Sequence, residues 1–175
     1  MKLSIRTIIT IAICLGYFIT NAQELKENKI DEFTKTLVKR TSYEIVVQNT
    51  TMNFFIRVSK LDSLKFLDVK MIAGMGKIVA IERDSKLMFM LENGEIITLN
   101  NSQTAVSCKG CGARGFSGSA AYGIATSYSI TNENYTKLKL SIIKKIRVYT
   151  LDGFVESDVN DKRSVVIQKL LPLVE

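Results

Sequence analysis

Apolar side chains recur at every second position through much of this chain. Tyr43, Ile45 and Val47 alternate with Ser42, Glu44 and Val46, and Phe54, Ile56 and Val58 alternate with Phe55, Arg57 and Ser59. A period of two places alternate side chains on opposite sides of an extended backbone, so such stretches bury one face only as β-strands. The texture continues through LKFLDVKMI at 64–72, is punctuated by Gly74 and Gly76, and resumes in KIVAIE at 77–82. KLMFMLE and EIITLN then flank Asn93-Gly94. That dipeptide between apolar runs predicts a β-hairpin, here with a type I′ turn in which both central residues need positive φ. Phe54-Phe55 and LMFML at 87–91 carry apolar residues on both faces. Those strands are expected to lie centrally or against a partner, and an open face there points to a protein partner.

The last third changes character. YGIATSYSI at 122–130 reads as one more strand, after which Thr131-Asn132-Glu133 offers a helix cap and Tyr135, Leu138 and Ile142 recur at helical spacing. IKKIRVYT at 143–150, Asp152-Gly153 and residues 154–158 predict a second hairpin. Asp158 or Asn160 is a candidate cap for a last helix whose face is Val166, Leu170 and Leu173 and whose end is Pro172. The fold class expected is α+β: a mostly antiparallel sheet with two helices in the C-terminal third packed on one face. Residues 33–175 form one domain in this reading, a length that suffices for a single core.

At the N-terminus, Lys2 and Arg6 precede an apolar run over residues 8–19, followed by Thr20-Asn21-Ala22. The run is about a dozen residues, short of the roughly 20 that span a bilayer, and small residues stand where signal peptidase reads them. Residues 1–22 are therefore read as a cleaved secretory signal peptide, with export to the periplasm, the cell surface or beyond and no integral membrane segment after cleavage. The leader's Asn-Ala-Gln ending resembles those of many exported proteins of Gram-negative bacteria, a resemblance confined to the leader. Cys14 sits among apolar residues, preceded by Ile13, which argues against lipid attachment. Residues 23–32, charged and poor in large apolar side chains, are expected to be a flexible lead-in.

Absences narrow the chemistry. The chain has no His and no Trp, and only Cys108 and Cys111 remain beyond the leader. Ser-His-Asp and Cys-His catalysis are excluded, as is an imidazole metal site, and two thiols do not complete a zinc site. No catalytic residue, metal or cofactor is assigned.

The composition breaks once, at SCKGCGARGFSGS over 107–119. Gly110 to Gly115 formally match G-x-G-x-x-G, but no helical sequence follows to aim at a pyrophosphate. G-x-S-x-G is not met around Ser117, and no His could activate that serine. Cys108-Lys109-Gly110-Cys111 has the C-x-x-C spacing of thiol-disulfide oxidoreductases, with Cys108 as nucleophile and Cys111 as resolving thiol. Such a domain would bring a proline to face the pair, and the one proline, Pro172, lies far away. The preferred reading is a local disulfide pinning a stiff loop of an exported, non-catalytic binding module. Lys109, Gly110, Gly112, Arg114, Gly115, Ser117 and Ser119 are the candidate ligand-binding residues, with exposed backbone N–H groups and Arg114 suited to an anion.

The formal net charge is +7. Lys137, Lys139, Lys144, Lys145 and Arg147 cluster, with Glu133 the one acid between Tyr128 and Leu151. Lys144, Lys145 and Arg147 form a candidate polyanion patch, weighed against an ordinary solvated face. Aromatics do not interleave with these cations, and no RNP-like or helix-turn-helix pattern is present, so nucleic acid is not favoured. Another protein or an anionic ligand remains the candidate partner.

Overall fold

The alternating stretches become strands of one antiparallel sheet. In the computed structural model, residues 24–74, 77–112 and 121–175 are described. The strands are β1 (Leu25–Ile30), β2 (Leu37–Thr41), β3 (Glu44–Gln48), β4 (Met52–Leu61), β5 (Leu64–Ala73), β6 (Ala80–Ile81), β7 (Lys86–Leu91), β8 (Ile96–Asn101), β9 (Ala105–Val106), β10 (Cys108–Lys109) and β11 (Tyr122–Ile130). Helix α1 (Asn132–Leu140), β12 (Ile143–Thr150), β13 (Gly153–Asp158), helix α2 (Val166–Leu170) and a 3-10 turn (Leu171–Val174) complete the order. The main sheet runs β1-β2-β4-β5-β11-β8-β7-β12-β13, with β3 also pairing β4 and β10 also pairing β11. β6 and β9 form a separate two-stranded ribbon.

The sheet coils until β13, last in the order, lies beside β4. Asn49 Nδ2 spans that approach to Ser157 Oγ at 2.7 Å. Inside the coil, Phe54, Ile56 and Val58 of β4 face Met71, Val69 and Leu67 of β5 across the register, all fully buried. The helical segments close this same inner side. Tyr135 and Leu138 of α1 meet a buried run from Val166, Ile167 and Leu170 to Leu171 and Val174. The fold is thus the expected α+β arrangement. Among the described residues no helix is long and apolar enough to cross a membrane.

Four local expectations are corrected. The 93–94 hairpin forms, but Asn93 keeps a negative φ and Gly94 alone is left-handed, at φ 83°. Gly94 N donates to Leu91 O at 3.0 Å and Leu91 N to Glu95 O at 2.9 Å, which makes a three-residue loop with glycine in the left-handed position. The expected lead-in is largely strand β1, paired along β2. Its charges suit an edge, where they discourage pairing with other chains, and Glu27 Oε2 binds Arg40 Nη1 at 2.7 Å. The strand expected over 77–82 shrinks to Ala80–Ile81, Lys77 making only an isolated bridge to Ala73. The last helix is a single turn capped by no side chain, and Pro172 opens the 3-10 turn instead of ending a helix. Pro lacks the N–H that a helical first turn leaves unused, so it fits there.

Helix α1 follows expectation at its start. Thr131 Oγ1 accepts from Asn134 N at 3.2 Å. Residues 1–22 and the positions Arg114, Gly115, Ser117 and Ser119 lie outside the described residues.

Candidate functional site: the outer face of β4, β5 and β11

Cys108 and Cys111 are joined by a disulfide with their Cα atoms 5.3 Å apart. The bridge closes a turn: Cys111 N donates to Cys108 O at 3.2 Å, and Gly110, third in the turn, holds φ 79°. A positive φ at that position is what a type II turn demands, and glycine meets it without steric cost. Cys108 and Lys109 pair with Gly123 and Tyr122, and Gly110 N reaches Ala121 O at 3.0 Å, so the bridge clamps the base of a hairpin between β10 and β11. No helix begins at these cysteines within the described residues, so the helix N-terminus that lowers a reactive thiol's pKa is not at hand.

The glycines on either side of this base serve close packing. A Cβ on Gly123 would stand 2.5 Å from Gly112 Cα and 2.9 Å from Met71 O. A Cβ on Gly112 would stand 2.5 Å from Ile72 Cγ1. The hairpin base therefore lies flat on the outer side of β5 and β11. Of the seven loop residues singled out by sequence, Lys109, Gly110 and Gly112 are described, and two of the three have a backbone reason to be what they are.

Four residues further along β11 on the same face, about 13 Å away at the usual strand rise, is a cluster that sequence reasoning missed. Asp68 is 7% exposed. Arg57 Nε (2.7 Å) and Ser59 Oγ (2.5 Å) donate to its Oδ2, and Ser127 Oγ donates to its Oδ1 at 2.6 Å. The register dictates this meeting, because Arg57 stands opposite Asp68 on β4 and Ser127 opposite Asp68 on β11. Tyr43, from the turn between β2 and β3, lies across the cluster with Arg57 4.7 Å and Lys70 Nζ 4.6 Å from its ring centre. Burial pushes the Tyr43 hydroxyl pKa up. Burial, reinforced by repulsion from Arg57, pulls the Lys70 amine below its usual range. A cleft of about 230 Å³ opens beside the cluster, lined by Arg40, Arg57, Ser59, Asp68, Ser102, Gln103 and Ser127 with Leu61 and Phe66.

The structure does not gather Lys144, Lys145 and Arg147 into an open cationic patch. Lys144 Nζ binds Glu92 Oε1 (3.2 Å) and Asp161 Oδ1 (3.3 Å). Lys145 Nζ reaches Glu156 Oε1 at 3.7 Å and Asp158 Oδ1 at 3.5 Å, and Arg147 Nη2 reaches Glu156 Oε2 at 2.5 Å. Each cation beside a carboxylate has already exchanged water for an anion. Lys145 and Arg147 instead rim a groove of about 240 Å³ floored by Met88, Met90 and Ile96, the open outer side of the LMFML strand.

Among the described residues no group of three or more His, Cys, Asp or Glu could hold a metal ion. Compared with known proteins, the chain matches no family model, no curated protein and no solved structure.

Proposed function

We propose that this protein is an exported, non-catalytic binding module whose contact surface is the outer face of β4, β5 and β11, with the disulfide-clamped hairpin at one end. The observation that carries the reading is the seating of the Cys108–Cys111 turn. The bridge closes a β-turn, and Gly112 directly after it packs against Met71 O of β5 and Gly123 of β11, which makes the turn a rigid strut. A bridge closing so short a loop stabilises by at most about 2 kcal/mol through chain entropy, so its contribution is shape more than stability. Export supplies the oxidising surroundings in which such a bridge persists. A separate apolar groove over Met88, Met90 and Ile96, on β7 and β8 outside that surface, favours another protein as a partner, since apolar sheet faces are normally covered.

A thiol-disulfide oxidoreductase is the competing function for the same two cysteines. Intact-mass measurement of freshly purified protein, before and after reduction and alkylation, separates the two readings, together with an insulin-reduction assay. The binding module is expected to show two protected thiols, both alkylated only after reduction, and no turnover of insulin. Freely alkylated thiols in fresh protein, or catalytic reduction of insulin, would overturn it.

A further inference from the structure

We propose that the cleft beside Asp68 binds a neutral polyhydroxyl group, one sugar ring, against a wall that includes Phe66; this rests on the outer face of β4, β5 and β11 being the contact surface. The charges around the cleft are already matched. Asp68 Oδ2 holds Arg57 Nε at 2.7 Å and Glu27 Oε2 holds Arg40 Nη1 at 2.7 Å, so two cations meet two carboxylates and no net charge is left to draw an ion of either sign. What the walls offer instead is hydrogen bonding. A carboxylate and a carbonyl only accept, so Ser127 Oγ gives its proton to Asp68 Oδ1 (2.6 Å) and Ser102 Oγ gives its own to Ser127 O (2.7 Å). A serine hydroxyl has one proton, and with it committed each of these oxygens can only accept from a ligand. The arginines are the converse: each guanidinium carries five N–H donors, its carboxylate occupies one, and none can accept.

Oxygens that only accept, set beside nitrogens that only donate, suit a ligand whose groups do both at one atom, as a hydroxyl does. A sulfate or carboxylate brings acceptors alone and would turn them on Asp68 and the two serine oxygens, while an ammonium brings donors alone and would meet two guanidinium groups. The register gathers these side chains on one patch: Arg57 stands opposite Asp68, Arg40 opposite Ser59, Ser59 opposite Phe66, and Ser127 opposite Asp68 on the other side. Tyr43 lies 4.7 Å from the Arg57 guanidinium, so its donors are placed before a ligand arrives. Phe66, two residues along β5 from Asp68 and on the same face, joins Leu61 as the apolar part of the lining. A sugar ring matches that division, with C–H bonds over one face to pack on the negative face of an aromatic ring and hydroxyls around its rim to reach the polar side chains. Volume limits the ligand to one ring, since about 230 Å³ is below the roughly 300–1,000 Å³ of sites that take a drug-sized molecule.

Amide NMR shifts of Ser102, Gln103 and Ser127 test this while D-glucose, D-galactose, D-mannose or N-acetyl-D-glucosamine is added to the purified protein, with sodium sulfate and N-acetylglycinamide as the anion and amide comparisons. Saturable shifts with at least one sugar are expected, at concentrations where sulfate and the amide produce none. The methyl glycosides of that sugar then distinguish the end of a glycan, for which binding persists, from a free sugar, for which it is lost with the anomeric hydroxyl. Ser102→Ala removes one acceptor while Ser102 N keeps its 2.8 Å bond to Ser127 O, and should weaken binding about fivefold, the worth of one hydrogen bond. Phe66→Leu keeps an apolar wall without the aromatic face and should weaken binding by a similar factor. Lys145→Gln and the paired Cys108→Ser, Cys111→Ser variant should leave it unchanged. No saturable shift with any of these sugars, saturation by sulfate or the amide alone, or binding indifferent to both Ser102→Ala and Phe66→Leu would overturn the proposal. The thiol and insulin measurements do not involve the cleft, so failure here leaves the disulfide-clamped module to its own test.

Discussion

Gly123→Ala tests the seating of the hairpin, because it adds one carbon where two backbones touch. The new Cβ would lie 2.5 Å from Gly112 Cα and 2.9 Å from Met71 O. These separations are roughly 1 Å inside ordinary carbon contact, where dispersion has turned to repulsion. A flexible side-chain tip could step aside, but both neighbours here are main chain. Met71 sits in the middle of the sheet and is fully buried, so β5 resists movement and Gly112 must lift instead. Overpacking of this kind costs about 1–3 kcal/mol, and the backbone nature of the clash places Gly123→Ala near the upper figure, about 3 kcal/mol. In a domain of this size that is a fall in Tm of about 6–12 °C. Gly112→Ala meets the same Met71 O at 2.9 Å but should cost less, since its nearest obstacle, at 2.5 Å, is the Ile72 side chain, which can change rotamer, and Gly123 Cα stands farther off at 3.1 Å. Urea unfolding of both variants with the disulfide intact measures the difference, the midpoint moving while the slope stays constant. An unaltered midpoint for Gly123→Ala, or a larger loss for Gly112→Ala, would show that the hairpin base does not rest on the sheet as described.

Two further expectations concern groups remote from that contact. Tyr128 is fully buried and its hydroxyl has no hydrogen-bond partner among the described residues, so Tyr128→Phe should leave stability unchanged or raise it by about 1 kcal/mol; a loss above 1 kcal/mol on urea unfolding would refute this. Glu27, Glu95, Glu156 and Glu175 are each held below the ordinary 4.5 chiefly by a hydrogen-bonded cation, respectively Lys29, Lys137, Arg147 and Lys139. Below that value the unfolded chain takes up protons that the folded chain resists, so stability should be constant above pH 4.5 and fall progressively beneath it, less steeply in high salt. A urea midpoint that stays flat down to pH 3 would contradict the pairing.

Periodicity exposed the strands because each buries one whole face, a constraint repeated every second residue. It could not expose the Asp68 cluster. Arg57, Ser59, Asp68 and Ser127 occupy the polar positions of their strands, where alternation predicts water. What keeps Asp68 there is its three cross-strand donors, with Tyr43, a residue outside all three strands, stacked on Arg57. The one available signal was opposite charge, an arginine on one strand and an aspartate on the next, and it becomes legible only when the register of the β4–β5 hairpin is known. Gly123 gave a similar partial sign. A glycine inside a strand marks a close approach, but nothing local says that the approaching backbone is Gly112.

The cationic run at 144–147 failed as a binding patch for the same reason, turned around. Between Tyr128 and Leu151 the chain counts as strongly basic, since its acids are placed just beyond that window. The β12–β13 hairpin then folds them back: Arg147 stands opposite Glu156 and Lys145 opposite Asp158, residue for residue. Cross-strand pairing of opposite charges contributes roughly 0.2–1 kcal/mol for each pair and favours this alignment over a slipped one that would set Lys145 opposite an uncharged neighbour. Charge density along a β-hairpin sequence is therefore a poor guide to the potential at its surface. The quantity that matters is the sum over cross-strand partners, and by that measure Lys145 and Arg147 are matched by Asp158 and Glu156.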